Sequence, residues 1–199
     1  MHPLSGSAPL APSTPPLPCD GLPPVKPSPH DPPPTLAFHP AQPSDAPALA
    51  ALAAQIWHRV YPEIIPLAQI AYMLGLMYSE PVIVSEMEHG TAWEWARIGG
   101  ESVGFLSHSP NRDRTRLHLH KLYLDPAWHG CGLGQQMLRH VLDHARRAGH
   151  RAVELRVNRN NRSALRAYAR AGFRVEREHC TDIGSGFLMD DFILVHQEP

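Results

Sequence analysis

The stretch from Leu117 to Gly134 constrains the fold of this chain more than any other feature. Leucines alternate up to Asp125-Pro126 and predict a buried strand that ends there, because proline cannot donate a hydrogen bond to a neighbouring strand. The glycine-rich segment from His129 to Gly134 follows, and then apolar residues at helical spacing from Gln135 to His150. The sequence therefore predicts a strand, a glycine loop and a long helix in direct succession.

The glycine loop suits an anionic ligand. The first turn of a helix has unpaired backbone N–H groups at the positive end of the helix dipole, and glycine has no Cβ to keep a phosphate away. A tight turn between strand and helix explains the glycines equally well. The spacing excludes a P-loop, because Gly134 is followed by Gln135-Gln136 rather than by Lys-Ser/Thr. It also excludes a Rossmann fingerprint, because Gln135 or Met137 stands where the third glycine is needed.

Composition excludes several other classes of function. The chain has 199 residues and a formal net charge of -1, so no overall field favours nucleic acid. Its cysteines, Cys19, Cys131 and Cys180, are odd in number and too widely spaced to indicate a disulfide framework or a zinc site. We find no apolar run long enough to span a membrane and no signal-peptide pattern, so we expect a cytoplasmic protein.

Hydrophobic periodicity predicts one domain after a proline-rich start. Residues 1–34 hold repeated prolines and little to bury, which predicts a disordered tail, and residues 35–199 form the domain. The predicted element order is β-α-α-β-β-β-α-β-α-β-β, beginning with a strand at Thr35–His39, with a further short helix over Val82–Met87. The last two strands, Phe173–Cys180 and Phe187–His196, form an antiparallel pair. We predict an α/β (mixed α+β) fold with a mostly antiparallel mixed sheet of about seven strands and helices on both faces.

Two motifs resemble those of the GNAT superfamily of acetyl-CoA-dependent N-acetyltransferases. The loop reads His129-x-x-Gly132-x-Gly134 and is similar to the signature Gln/Arg-x-x-Gly-x-Gly/Ala, with His129 departing at the first position. The block from Asn161 to Phe173 is similar to the segment N-x-x-A-x-x-x-Y-x-x-x-G-F. The resemblance extends from about Leu36 to Val195 in element order. It implies the GNAT fold, acetyl-CoA as cosubstrate and no metal.

The resemblance also implies which residues hold acetyl-CoA. Backbone groups of the central strand contact pantetheine and the acetyl carbonyl, the glycine loop holds the pyrophosphate, and Asn161 contacts the cosubstrate from the opposite strand's exit. The implied residues are Leu122, Tyr123, Leu124, His129, Gly130, Cys131, Gly132, Leu133, Gly134, Gln135, Asn161, Ala164 and Tyr168. Cys131 is in addition a thiol at a helix N-terminus, where its pKa can fall and make it reactive.

Candidate catalytic residues follow from the same resemblance. Tyr168 stands where the family places the general acid for the leaving thiolate. Helical spacing alone favours a tyrosine packed in the core, whereas the whole block from Asn161 to Phe173 favours a functional role. His118 and His120 alternate along the central strand, point to one face and are candidate bases. Chance placement is an open alternative for both, because the chain has 14 histidines. Glu94 on the neighbouring hairpin and direct proton loss to water are further alternatives.

The acceptor site is expected between the first two helices and the closing strand pair. Its candidate residues are Trp57, Tyr61 and Glu63 from one side and Asp182, Asp190 and Asp191 from the other. The hairpin from Asp182 to Asp191 resembles that of small-amine and polyamine acetyltransferases, and its carboxylates favour a cationic amine. The same acids are equally consistent with solvated turn residues.

These observations favour an N-acetyltransferase that acts on a primary amine, a small cationic or polyamine-like one, by direct attack in a ternary complex. The acceptor is a small-molecule or peptide amine, and no nucleic-acid or membrane partner is expected. A homodimer is compatible with the superfamily, and the apolar strand Phe187–Val195 is a candidate for its contact. The alternatives are a non-catalytic acetyl-CoA-binding sensor or interaction module, and an arginine-rich nucleic-acid binder with steeply salt-dependent affinity.

Overall fold

The computed structural model describes residues 34–197. The predicted tail, residues 1–34, lies outside the described residues except for Pro34. The described residues form seven strands, five α-helices and two short 3₁₀ helices. These are β1 (Ala37–Pro40), a 3₁₀ turn (Pro43–Asp45), α1 (Ala46–Val60), α2 (Leu67–Tyr78), α3 (Glu80–Glu88), β2 (Ala92–Ile98), β3 (Glu101–Pro110), β4 (Arg116–Leu124), a 3₁₀ turn (Pro126–Trp128), α4 (Leu133–Arg147), β5 (Ala152–Asn158), α5 (Arg162–Arg170), β6 (Arg174–Gly184) and β7 (Phe187–Gln197).

All seven strands belong to one mixed sheet with the order β1-β2-β3-β4-β5-β7-β6. Every neighbouring pair is antiparallel except β4 and β5. Those two strands are parallel because α4 crosses over between them, as a parallel connection requires. The sheet and its helices confirm the predicted fold class.

The sheet splits between β4 and β5. Their ladder runs only from Arg116 and Ala152 to Leu119 and Leu155. Beyond that point β4 continues beside β3 up to Leu124, and β5 continues beside β7 up to Asn158. The facing edges of the two strands are therefore unpaired with each other there, and their backbone groups are open to a ligand.

Helices cover both faces of the sheet and make two cores. Helices α1–α3 pack Leu49, Ile56 and Ile70 against Trp93 and Phe105 on one face. On the other face, α4 packs its apolar side against the central strands. The predicted apolar face of α4 is confirmed, since all six of its residues are buried: Leu133, Met137, Leu138, Val141, Leu142 and Ala145.

Element boundaries differ from the prediction where backbone conformation overrides periodicity. Helix α4 begins at Leu133, because Gly132 has φ +77° and ends the loop, and Gly149, with φ +77°, follows its last turn. Strand β1 begins two residues later than predicted. The short helix is confirmed and slightly longer, at Glu80–Glu88.

One expectation about surfaces needs correction, and another is narrowed by the strand order. One stretch of the described chain, Leu67–Glu88, has the length and hydropathy of a membrane-spanning helix. Ser79, with ψ 147°, divides it into α2 and α3, and Ile70 and Ile83 pack on the sheet, so this is weak evidence for a span. Strand β7 has neighbours on both sides, β5 and β6. It has no free edge for a dimer partner, because β6 is the edge strand.

Candidate functional site

A cleft of about 1010 Å³ passes through the split in the sheet. On one side it is bounded by the glycine loop and α5, and on the other by α1 and α2. An aromatic chamber forms this second side. We define the aromatic chamber as Trp57, Tyr61, Met73, Met77, Tyr78, Tyr123 and Met189, all of which line the cleft.

The glycine loop is shaped by backbone conformations that only glycine adopts easily. Gly130 and Gly132 have φ values of +87° and +77°. Gly134 differs in conformation, because it lies in the first turn of α4 and has no positive φ; as at the other two glycines, a Cβ built on it meets no atom within 4 Å. The space beside Gly134 is therefore open on the side where helix N–H groups are unpaired, which fits a phosphate.

Side chains around the loop tie it to its neighbours. The ring of His129 contacts the carbonyl oxygen of Leu124 through Nε2 at 3.0 Å, which joins the loop to the end of β4. Gln135 donates from Nε2 to the carbonyl of Ala167 at 2.8 Å, which joins α4 to α5. His129 thus has a structural contact at the position where it departs from the GNAT signature.

Helix α5 places the second motif on the same cleft. Asn161 is its N-cap, and Oδ1 accepts a hydrogen bond from the Ala164 backbone N–H at 3.1 Å. Ala164 and Tyr168 line the cleft one turn apart. The Tyr168 ring packs edge-on against Phe173, with centroids 5.8 Å apart. Burial raises the pKa of Tyr168 to about 12.

The structure brings together most of the residues that the resemblance implies for acetyl-CoA. Leu133 is instead fully buried in the α4 core, and Cys131 is a half-buried free thiol outside the cleft lining. The others line the cleft: Leu122, Tyr123, Leu124, His129, Gly130, Gly132, Gly134, Gln135, Asn161, Ala164 and Tyr168. An open phosphate cradle that leads into a split sheet fits a long, pyrophosphate-bearing thioester.

Tyrosine hydroxyls meet near the centre of the cleft. The hydroxyl oxygens of Tyr61 and Tyr123 lie 3.3 Å apart. Burial raises the pKa of both phenols well above the usual 10, so both are neutral donors. Tyr61 also interacts electrostatically with Tyr168 and Asp191. The candidate acid and a buried carboxylate therefore lie in the same neighbourhood as this pair.

Both candidate histidines line the cleft beside a β-bulge. The β3–β4 register pairs Ser107 with Lys121 and His108 with Leu119, so His120 is the extra residue. The rings of His118 and His120 are 4.5 Å apart.

The two histidines have different partners. His118 Nδ1 contacts Glu154 Oε1 at 2.9 Å, and His120 Nε2 contacts Ser109 Oγ at 2.7 Å. Burial by the cleft walls, together with the positive charges of His118 and Lys121, lowers the pKa of His120 to about 3. Burial is the larger cause, and the cationic neighbours add to it, although the His120 residue is exposed to the open cleft.

The predicted acceptor residues separate into two groups. Trp57 and Tyr61 belong to the aromatic chamber. Glu63 is an exposed residue outside the cleft lining. Asp182 accepts from the Gly184 N–H at 2.8 Å and shapes the β6–β7 turn, and Asp190 pairs with Arg159 at 2.8 Å. Neither aspartate lines the cleft.

Asp191 is the acid that faces the cleft. It is only 4% exposed, and within the described chain its carboxylate has no hydrogen-bond partner. Burial raises its pKa to about 6. Sequence reasoning grouped it with its neighbours, but strand alternation in β7 could have separated it from Asp190, because Asp191 shares a face with Met189.

Sequence reasoning missed Lys121. Its Nζ bonds both carboxylate oxygens of Glu86, at 2.7 and 2.8 Å, and lies 4.8 Å from the centroid of the Trp93 ring. The bulge turns Lys121 toward α3, whereas simple alternation would place it beside Leu119 on the α4 face. A lysine within an apolar strand was the signal in the sequence that could have drawn attention to this residue. Its partner, Glu86, lies on α3, which is distant in the chain.

Glu94 lies away from the cleft, and the alternative that it is the base is wrong on this geometry. Its two carboxylate oxygens contact His108 Nε2 at 3.0 Å and His140 Nε2 at 2.9 Å, on the α4 face of the sheet. Burial alone would raise the pKa of Glu94, but these hydrogen bonds hold it at about 2. Among residues 34–197 no cluster of His, Cys, Asp or Glu suits a metal ion.

Comparisons with known proteins agree with this geometry. The acetyltransferase (GNAT) family profile matches residues 55–173. An uncharacterized N-acetyltransferase of Mycobacterium tuberculosis is 30% identical over 155 residues, 77% of this chain and 98% of that protein. The N-alpha-acetyltransferase RimI of the same organism is 36% identical over 81 residues, 40% of this chain and 49% of RimI.

Solved structures show the same fold. The PaiA N-acetyltransferase from Thermoplasma acidophilum, in complex with coenzyme A, matches with a TM-score of 0.70. The match is 21% identical and covers 82% of this chain and 99% of that one. Likeness at this identity concerns the arrangement of helices and strands.

Proposed function

This chain belongs to the GNAT acetyltransferase family and is an acetyl-CoA-dependent acyltransferase, and we propose that it acetylates a small cationic primary amine by direct attack in a ternary complex. The observation that carries the proposal is the cleft through the split between β4 and β5. It joins the glycine loop and Tyr168 to the aromatic chamber. A thioester and an amine that enter from opposite sides meet at the split, and positioning of this kind supplies much of the rate of a two-substrate reaction.

Acetyl-CoA supplies the activated acetyl thioester, and the chain's own residues hold and orient it. The glycine loop and the first turn of α4 are the proposed pyrophosphate site, and the unpaired edges of β4 and β5 are the proposed pantetheine site. Tyr168 is protonated at neutral pH, as a phenol ordinarily is, and burial raises its pKa further, to about 12. Its hydroxyl is the proposed donor to the sulfur when the thiolate leaves.

The acceptor amine must lose a proton before or during attack. His118 is the better of the two candidate bases, because Glu154 accepts from Nδ1 and thereby leaves Nε2 as the basic nitrogen. His120 is neutral at pH 7 but holds a proton weakly, since its pKa is about 3. We therefore assign His118 as the base and His120 as a neutral neighbour, with water as the carrier between amine and ring.

A cationic acceptor is supported by Asp191, whose carboxylate lies in the cleft near Tyr61 and Tyr168. The polyamine-like acceptor expected from the sequence drew on Glu63, Asp182 and Asp190, which lie outside the cleft lining. Their placement supports an acceptor held by one ammonium group rather than by several. A homodimer stays a prediction, and the exposed edge strand β6 is its candidate contact.

Release of free CoA from acetyl-CoA, measured against a panel of amines, amino acids and short peptides, tests the proposal. A protein-only blank is required because Cys131 and Cys180 are free thiols. Acceptor-dependent release supports the transferase. Tight acetyl-CoA binding without release for any acceptor would instead support the sensor alternative.

A further inference from the structure

We propose that the acceptor is a monoamine with an apolar body, of the size of an aromatic ring or a six-carbon chain. Its ammonium group pairs with Asp191, and its body is enclosed by the aromatic chamber. The inference rests on the proposed function and narrows its substrate class. It disfavours a polyamine, because among the described residues only one carboxylate that lines the cleft lacks a hydrogen-bond partner, and the walls of the aromatic chamber are apolar.

The first argument is the distribution of carboxylates in the cleft. Within the described chain, three acids line it: Glu86, Glu154 and Asp191. Glu86 is held by Lys121 at 2.7 Å, and Glu154 by His118 at 2.9 Å and Arg116 at 3.2 Å. Asp191 alone of the three lacks a hydrogen-bond partner. A second ammonium group in the cleft therefore meets no free carboxylate.

The second argument is the burial of Asp191. An ionised carboxylate that is only 4% exposed is costly unless it is paired, and here the nearby guanidinium of Arg156 acts at a distance without a hydrogen bond. An ammonium ion supplies both the charge and the donors that this carboxylate lacks. Asp191 and Tyr168 both line the cleft, and both contribute to the raised pKa of Tyr61, so an amine bound at Asp191 shares the cleft with the proposed acid.

The third argument is the character of the walls. The rings of Trp57 and Tyr61 stack with centroids 4.2 Å apart, and Tyr78 meets Trp57 edge-on at 5.4 Å. Met73 and Met77 add flexible, polarisable side chains that adapt to apolar ligands. The Gln69 side chain donates from Nε2 to the Leu188 carbonyl at 2.8 Å. A charged second amine would lose its hydration here, and apart from Asp191 each carboxylate of the described residues that lines the cleft is already paired.

Hexylamine and 1,6-diaminohexane form a matched pair for the test, since they have the same length and differ by one terminal ammonium group. With acetyl-CoA at pH 8, where Asp191 is ionised, we expect kcat/KM for hexylamine to exceed that for the diamine at least about tenfold. We also expect gains of about fourfold per methylene from butylamine to hexylamine, the effect of burying a CH₂ group. 2-Phenylethylamine should be accepted as well. Equal or better use of the diamine or of spermidine overturns the inference.

A binding measurement tests this inference independently of the proposed function. Calorimetric titration of the same amines into CoA-saturated protein needs no turnover. If hexylamine binds at least tenfold tighter than the diamine but no CoA is released with acetyl-CoA, the acceptor assignment stands and the transferase proposal fails. If amines are acetylated but the diamine binds tighter, the transferase proposal stands and the acceptor assignment fails. If neither amine binds, the assignment is wrong.

Two neighbouring residues of α2 provide a variant and its control. Met77 lines the cleft, whereas Leu76 is 46% exposed outside it. We expect Met77→Glu to move the hexylamine-to-diamine ratio at least tenfold toward the diamine, and Leu76→Glu to leave it unchanged. Equal ratios in the two variants overturn the inference.

A second variant decides the question if Met77→Glu does not fold. Asp191→Asn should raise KM for hexylamine at least tenfold and leave KM for acetyl-CoA unchanged. An unchanged KM for hexylamine excludes Asp191 as the amine site.

Discussion

Tyr168 carries the proposed proton transfer with a hydroxyl group that the folded chain does not otherwise use. Within residues 34–197 that hydroxyl has no hydrogen-bond partner, and the ring packs against Phe173. The same residue thus satisfies both interpretations of its helical position, a packed ring and a free polar tip. At the residue scale, the position of the hydroxyl oxygen decides whether Tyr168 can act in catalysis. The ring can pack in the protein while the hydroxyl group faces the cleft.

We expect Tyr168→Phe to lower kcat at least about 100-fold, the usual contribution of a general acid, with little change in acetyl-CoA affinity or in Tm. Steady-state kinetics measures kcat, calorimetric titration measures the affinity for acetyl-CoA, and thermal unfolding measures Tm. Tyr72→Phe is the control, because Tyr72 donates to the Ile183 carbonyl at 2.6 Å outside the cleft. Wild-type turnover in Tyr168→Phe would remove this residue from the mechanism.

The glycine loop allows a second comparison between two substitutions. Gly132→Ala forces alanine to φ +77°, which costs about 1–2 kcal/mol of folding free energy. Gly134→Ala meets no protein atom, so we expect unchanged stability together with weaker acetyl-CoA binding. Thermal unfolding and calorimetry separate the effects. Unchanged affinity in Gly134→Ala would argue against a phosphate at this position.

The histidines are distinguished by pH dependence. We expect His118→Gln to remove the acidic limb of the kcat/KM profile and to lower kcat/KM about 100-fold. His120→Ala should retain the limb, because a group with a pKa of about 3 does not titrate in the assay range. A profile that changes only in His120→Ala would reverse the two assignments.

At the scale of elements, the site depends on one break and one bulge in the sheet. β4 and β5 stop pairing after Leu119 and Leu155, and the bulge at His120 turns Lys121 toward α3. Behind the same hairpin, Glu94 joins β2, β3 and α4 through His108 and His140. These contacts hold the strands in place on the face opposite the chamber.

The low pKa of Glu94 makes its contribution to stability depend on pH. Its folded pKa of about 2 lies below the ordinary 4.5, so the stabilisation is complete above pH 4.5 and is lost as the pH falls toward 2. We expect Glu94→Gln to lower the free energy of unfolding by about 1–2 kcal/mol at pH 7, and by progressively less below pH 4. Urea unfolding between pH 7 and pH 3 measures the free energy of unfolding of both proteins. Glu101→Gln, at an exposed position, should match wild type throughout.

At the scale of the whole molecule, one cleft is lined both by the glycine loop and α5 and by α1 and α2, and the proposed function uses these two sides for the two substrates. The described fold is closed at its start by contacts of Pro34 and Leu36 with Gln136, at 2.9 and 3.1 Å, just before β1. Both the GNAT profile and the cleft lie entirely after these residues. The domain assignment, residues 35–199, stays a prediction that truncation can test.

We expect a chain of residues 34–199 to keep the full-length Tm within about 2 °C and to keep kcat, since the contacts described begin at Pro34. A chain of residues 42–199 lacks β1 and the buried Leu36, and it should unfold at a clearly lower temperature. Thermal unfolding and CoA release check both. An inactive 34–199 chain would show that the proline-rich start takes part in function.

Signals within a few residues determined what the sequence alone could show. The positive-φ glycines of the loop, the Asn161 cap and the apolar face of α4 depend on near neighbours, so the motif pair and the fold class could be predicted. The loop's role as a phosphate cradle could be expected only from the resemblance, because a tight turn uses the same glycines.

Tertiary structure decided which side chains face the cleft. Asp191 lines it while Asp190 pairs with Arg159, and Glu94 lies on the opposite face. The end of the β4–β5 ladder and the partner of Lys121 are contacts between residues far apart in the chain. Pairing, registers and bulges arise when distant strands meet, and a one-residue shift moves a side chain from one face to the other. That is why the glycine loop and the α5 motif could be predicted from local sequence, whereas the carboxylate that faces the cleft became evident only in the assembled sheet.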